Sequence, residues 1–183
     1  ELSRSARLTF DCETTGLGIW TGDRVIGVAV RGESGTPYYF PLRHAEGNLP
    51  EQYLCGVSKL LSEPRLYRGF NVGFDVKMMS HEGMRTPGRV EDVIIAAHLM
   101  NENEPSLKLK DLADKYVGQG SSDEQKTLTV ALQARGLSKG GMGKLPAAMV
   151  EPYACMDVVL TDKLCDFYRP HLDTWGLYGL WQE

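Results

Sequence analysis

Asp11 and Glu13 stand two residues apart at the end of a stretch, Arg7–Cys12, in which Leu8, Phe10 and Cys12 alternate with Thr9 and Asp11. Alternation of this kind predicts a strand. Side chains at i and i+2 leave a strand on the same face, so the two carboxylates converge. Two like charges held side by side repel and raise each other's pKa unless a cation lies between them. Hard oxygen donors of this type suit Mg²⁺ or Mn²⁺. A D-x-E pair alone is equally well a solvated strand end, so it needs further acids to make a site.

Asp75 closes the run Phe70-Asn71-Val72-Gly73-Phe74-Asp75, where a short strand pattern gives way to a helical one. That places Asp75 in the first turn of a helix, where the helix dipole by itself favours a carboxylate. Asn71 and Phe74 beside it lift the segment above an ordinary helix start. Asp157 is the most informative acid. Tyr153, Asp157, Leu160, Leu164 and Tyr168 recur at helical spacing and share one face that is otherwise apolar. A charge on a buried stripe is costly unless it is paired or bound to a metal, an arginine partner being the plain alternative. Asp162 falls off this face and is expected at the surface.

The elements that must position these residues follow from period and punctuation. Arg7–Cys12, Arg24–Val30 and Pro37–Phe40 read as strands joined by short polar links, which predicts an antiparallel meander. The pattern then changes. Pro50–Leu61 reads as a helix with Leu54, Val57, Leu60 and Leu61 inward, Arg65–Phe70 as a strand, and Val72–His81 as a helix. Arg89–Val93 is a candidate strand running into a helical stretch that ends at Met100. Ser106 is the expected N-cap of a helix over Leu107–Tyr116, stopped by Gly118. Residues 118–123 read as a loop, Glu124–Ala134 as a helix, and Gly136–Lys144, with four glycines, as a mobile segment. Pro152–Tyr168 is the last strong helix, with Pro152 in its first turn and Pro170 closing it. A meander followed by alternating helices and strands gives an α/β class with a mixed sheet.

Composition sets the outer bounds. A chain of 183 residues, 42% hydrophobic and 24% charged, suits one globular domain. The longest apolar runs are about five residues, far short of a bilayer span, and the polar start, Glu1 to Arg7, has no apolar leader core. The default expectations are a cytoplasmic location, no membrane partner and no obligate oligomer. Cys12, Cys55, Cys155 and Cys165 form no C-x-x-C pair and are expected to be free thiols. A net charge of −4 argues against a broad basic face for duplex DNA, but not against a site that grips a strand end through metal ions. His44, His81, His98 and His171 match no motif.

Taken together, Asp11-Cys12-Glu13-Thr14-Thr15-Gly16-Leu17, Asn71-x-x-Phe74-Asp75 and Tyr153-x-x-x-Asp157 resemble, in order and spacing, the three motifs of DEDD-superfamily exonucleases. A tyrosine four residues before the last aspartate resembles the DEDDy branch. The DEDDh branch would have a histidine where Pro152 stands. Residues 93–101 and 106–113 look like the helices between the second and third motifs. Within the branch, the chain is most similar to the proofreading domain of family A DNA polymerases. Ribonuclease D-like RNA-processing enzymes share the motifs, and a catalytically silent binding module is the third possibility.

The resemblance implies a ribonuclease H-like fold, a five-stranded mixed sheet flanked by helices. It implies a single 3′→5′ exonuclease domain over residues 1–183, excised from a larger polymerase and acting on a single-stranded DNA 3′ end. In this family Asp11, Glu13 and Asp157 would hold one divalent metal. Asp11 would bridge to a second that Asp75 helps position. Tyr153 would orient the attacking water. Thr14, Leu17, Asn71 and Phe74 match positions that contact the terminal nucleotides, although Phe74 is equally well simple core. Lys139 and Lys144 are less promising phosphate contacts than members of a floppy loop. The apolar end, Leu172–Glu183 with Trp175, Leu177, Leu180 and Trp181, is expected to pack against a following polymerase module.

Overall fold

In the computed structural model, which describes residues 1–120 and 123–182, five strands form one sheet. They are β1 (Arg7–Thr14), β2 (Val25–Arg31), β3 (Pro37–Pro41), β4 (Arg65–Gly69) and β5 (Gly88–Asp92), ordered β3-β2-β1-β4-β5. β1 pairs antiparallel with β2, and β2 with β3, across the short links of the expected meander. The β1–β4 and β4–β5 pairs are parallel, and a parallel pair needs a crossover. Helices α1 (Leu54–Leu61) and α2 (Val72–His81) occupy those crossovers. The mixed sheet is thus built as the sequence pattern implied.

The alternation in β1 divides the molecule into two packed layers. Leu8, Phe10 and Cys12 enter a core with Val57 and Leu61 of α1 and Met78 and Met79 of α2. The opposite face of the sheet meets α6 (Ala147–Thr174), a 28-residue helix. Its Val150, Tyr153, Ala154 and Val158 pack with Ile26, Ala29 and Tyr39. Farther along, Leu160, Leu164, Cys165 and Tyr168 pack with α3 (Val93–Met100) and α4 (Leu109–Val117). The apolar stripe read from the sequence is therefore the contact face of α6, and Asp157 lies on it.

Several local expectations change. Asp162 is buried, not on the surface. It accepts from Thr9 Oγ1 at 3.0 Å and pairs with Arg31 and, at 2.7 Å, with the fully buried Arg68. Helical spacing placed it correctly off the apolar stripe, but the sheet's own arginines lie under that side of the helix. Pro152 and Pro170 both lie inside α6. Each is exposed, as is the residue four positions earlier, so the carbonyl it leaves without a donor faces water. The helix at Leu54 is preceded by a 3₁₀ turn, Glu51–Tyr53, and Leu54 itself is partly exposed rather than inward.

Ser106 does not cap α4. Its hydroxyl is engaged with Lys108 N and Asp111 Oδ2, which keeps the chain extended until Leu109. Helix α5 (Asp123–Gln133) follows a loop whose residues 121 and 122 lie outside the described residues. Within the glycine-rich stretch, Lys139–Lys144 is an ordered 3₁₀ helix with Met142 buried. Gly140 is small because a Cβ there would meet Thr15 O at 2.5 Å, so close packing rather than mobility accounts for it. After α6 comes α7 (Tyr178–Trp181). Trp181 is buried in this domain's own core and donates from Nε1 to Asp92 O at 2.8 Å. Only Trp175 and Leu180 of that apolar segment stay half-exposed, and Glu183 lies outside the described residues. The four cysteines are free, and no described helix is long and apolar enough to cross a membrane.

Candidate active site

The end of β1, the start of α2 and the second and third turns of α6 enclose a cleft of about 760 Å³. All nine residues singled out in the sequence line it: Asp11, Glu13, Thr14, Leu17, Asn71, Phe74, Asp75, Tyr153 and Asp157. Asp11, Glu13 and Asp157 each offer a carboxylate oxygen within 4.8 Å of the others. Asp75 is buried beside them, and its Oδ2 has no hydrogen-bond partner. Phe74 is half-buried and serves both the cleft and the β1 core. Leu17 stands 82% exposed on the rim, an apolar side chain left for something to cover.

Local structure explains how each side chain gets there. The register of β1 against β2 slips between Glu13 and Thr14, which ends the strand at the cleft. The loop beyond is organised by Asp23, which accepts from Thr15 Oγ1 at 2.8 Å and from Gly18 N at 2.7 Å. Asn71 begins α2 in the left-handed region at φ 57°, a conformation that asparagine tolerates better than most. The first amides of α2 are held by Asp92, at the end of β5. Its carboxylate accepts from Asn71 N and Val72 N while also capping α3 through Ile94 N at 2.9 Å. One side chain therefore sets the start of two helices, and with it the height of Asp75.

The electrostatics favour a bound cation. Burial is the main cause raising the Asp11 carboxyl well above its usual range, with Asp75, Glu13 and Asp157 adding repulsion. Burial also raises Asp75, partly offset by a backbone hydrogen bond from Cys12. Glu13 is pushed up to about 7 by burial first, against the relief given by Lys139. Such acids would share protons unless multivalent positive charge compensates them. An all-oxygen donor set with an orphaned buried oxygen fits hard divalent ions. Burial, then Asp157 and Glu13, hold the Tyr153 phenol far above its ordinary value, so the hydroxyl keeps its proton.

Two lysines complete the cleft. Lys110, from α4, is ion-paired with Asp157. Lys139 donates to the Tyr153 hydroxyl at 2.7 Å. The loop expected to be floppy thus delivers a charge onto the site. Sequence reasoning passed over Lys110, Asp23 and Asp92. Only Asp92 carried a usable signal, an aspartate just before the first apolar residue of a helix.

Across residues 1–173 the chain matches the family model described as 3′-5′ exonuclease. It is 28% identical to DNA polymerase DpoZ of Vibrio phage phiVC8 over 90% of this chain and 28% of that protein. It is 24% identical to DNA polymerase I of Chloroflexus aurantiacus over 94% of this chain and 18% of that one. The chain therefore spans under a third of these relatives. Among solved structures, Brucella melitensis NrnC with bound Mg²⁺ superposes with a TM-score of 0.74 at 19% identity, over 100% of this chain and 81% of that one. The M. smegmatis Pol1 structure gives 0.68 at 14% identity, over 100% and 27%. These likenesses show a shared ribonuclease H-like fold.

Proposed function

The chain belongs to the 3′-5′ exonuclease family, and from that premise we propose that it hydrolyses the terminal phosphodiester of single-stranded or frayed DNA as the proofreading domain of a larger DNA polymerase. The observation that carries this reading is the convergence of three carboxylates, with oxygens within 4.8 Å of one another, beside Asp75, whose Oδ2 has no hydrogen-bond partner. Similarity to phage and bacterial polymerases supports a polymerase module in the parent chain and a cytoplasmic site of replication.

Asp11, Glu13 and Asp157 would hold one divalent ion, and Asp11 with Asp75 a second, either Mg²⁺ or Mn²⁺. When bound, such a pair supplies an activated water and neutralises the leaving 3′-oxygen. The chain's own groups do the rest. Tyr153 keeps its proton and so orients the attacking water by hydrogen bonding instead of acting as a base. Leu17 and Phe74 meet the terminal bases through apolar contact, which tolerates any base. Thr14 and Asn71 border the same groove. Selection for mispaired ends then rests on how readily a terminus frays.

Incubation of the purified chain with 5′-labelled single-stranded DNA and RNA, with and without Mg²⁺, tests the reading. The expected result is stepwise shortening from the 3′ end, faster on DNA and abolished by chelation. Cleavage that persists in chelator, or internal cutting, overturns it. A strong preference for RNA moves the function to RNA 3′-end processing.

A further inference from the structure

Tyr153 is flanked by two ammonium groups, Lys110 Nζ at 5.3 Å and Lys139 Nζ at 5.0 Å from the ring centroid. Two like charges gather on one ring only where stronger negative charge holds them, and here that charge is the carboxylate cluster. Lys110 is paired with Asp157, an oxygen of which belongs to the three-carboxylate group. Lys139 donates to the Tyr153 hydroxyl at 2.7 Å and so takes up part of the accepting capacity that hydroxyl would offer to a water. Both lysines therefore sit where the reaction needs metal and water. The cleft is lined by five carboxylates, counting Asp111, and three lysines, counting Lys108, a formal balance of −2. Two divalent ions would turn that into +2, a balance that suits an incoming phosphodiester and a hydroxide, and would drive both lysines off the acids.

Both lysines have somewhere to go. Lys110 starts in the first turn of α4, at the side of the cleft lined by Lys108 and Asp111. Lys139 opens the 3₁₀ turn that rests on the loop after β1, where Gly140 meets Thr15 O, and it lines the same cleft as Leu17 on the rim. Long flexible stems let each head move several ångströms while the backbone stays seated.

Building on the metal-site reading above, we propose that Lys110 and Lys139 are phosphate grips for the strand end. Until metal and substrate arrive, they serve as internal counter-cations on Asp157 and Tyr153. The two roles are coupled, because each lysine must leave the site before it can hold the strand. Removal of Lys110 takes away a competitor for Asp157, so metal binds more tightly while the strand binds more weakly. A lysine with a merely structural role would not move these two affinities in opposite directions.

The test uses the 183-residue chain, with Lys110→Met, Lys139→Met and, as a control on the exposed side of the same turn, Lys144→Met. Mn²⁺ alone is titrated by calorimetry. A 5′-fluorescein oligothymidine is titrated by anisotropy with Ca²⁺ filling the metal sites, over a range of salt. Lys110→Met should bind Mn²⁺ severalfold more tightly and the oligonucleotide severalfold more weakly. For each cleft lysine removed, the slope of log affinity against log salt should fall by about 0.7. Lys110→Arg should restore the slope, and Lys144→Met should match wild type. Unchanged or weaker Mn²⁺ binding by Lys110→Met, or an unchanged salt slope, overturns the proposal while leaving the metal site intact. Failure of the wild-type chain to bind Mn²⁺ at all overturns the metal-site reading, and this inference with it.

Discussion

Asp92 Oδ2 accepts the amide of Val72 at 2.8 Å, so the last residue of β5 holds the first turn of the helix that carries Asp75. The same carboxylate satisfies Asn71 N and Ile94 N, and burial raises its pKa against the pull of these three amides. Loss of Asp92 leaves helix N-termini without an acceptor in a part-buried place. Asp92→Ala should cost about 1–3 kcal/mol in urea unfolding. Its kcat should also fall, because Asp75 loses its fixed height. Full activity at reduced stability would show that Asp92 supports the fold only.

Asp11 is crowded by three other carboxylates in a buried cleft. Asp11→Ala removes the one ligand shared between the two proposed ions, so single-turnover cleavage should fall by orders of magnitude. In chelator the same change relieves like-charge repulsion, and the thermal midpoint should rise. Undiminished cleavage rejects the assignment. A lower midpoint in chelator rejects the electrostatic account.

Tyr153→Phe keeps the ring that packs with Val150 and Ala154 and removes only the hydroxyl. Mn²⁺ affinity should stay near wild type. The chemical step should slow by about ten- to a hundredfold, the worth of one or two hydrogen bonds. Asp157→Ala should lose more, since it removes a ligand. Equal losses, or failure to bind Mn²⁺, would assign Tyr153 a different role.

Glu82, at the end of α2, is pulled down to about 2 by hydrogen bonds from Arg24, with burial opposing and Arg43 assisting. Its folded pKa lies below its unfolded one, so its contribution to stability is present above about pH 4.5 and lost as pH falls toward about 2. Glu82→Gln should therefore lower the urea midpoint near neutral pH, and the gap from wild type should close across that acid window. A gap that stays constant with pH would show that the ion pairs are not its source.

Asp162 anchors α6 to the sheet through Arg68 and Arg31. Asp162→Ala leaves the fully buried Arg68 with Glu91 and the exposed Asp166. Chemical denaturation should show a loss of about 3–5 kcal/mol, the cost of breaking a buried pair by removing one partner. A loss within about 0.5 kcal/mol is what a surface residue would give.

Period and residue type alone determined the strands of the meander, the α/β class and the candidate carboxylates. The alternation of β1 fixes which side chains share a face, and the stripe on α6 fixes that Asp157 faces inward; both are local properties of strand and helix geometry. Three motifs in register carried the family, which Asp11-Cys12-Glu13 alone could not. Tertiary structure decided what depends on partners distant in sequence. Asp162 looked like a surface acid because nothing near it in the chain announces Arg31 and Arg68 beneath it. Lys110 and Lys139 showed no periodicity that would mark them, because their role comes from the meeting of α4, a 3₁₀ turn and α6. Trp181 reads in the sequence as a residue awaiting a partner, yet it packs in a core with Val93, Ala96 and Leu172 and donates to Asp92 O. Sequence patterns report the direction in which a side chain leaves its own element, whereas what it meets there is set by the packing of elements far apart in the chain.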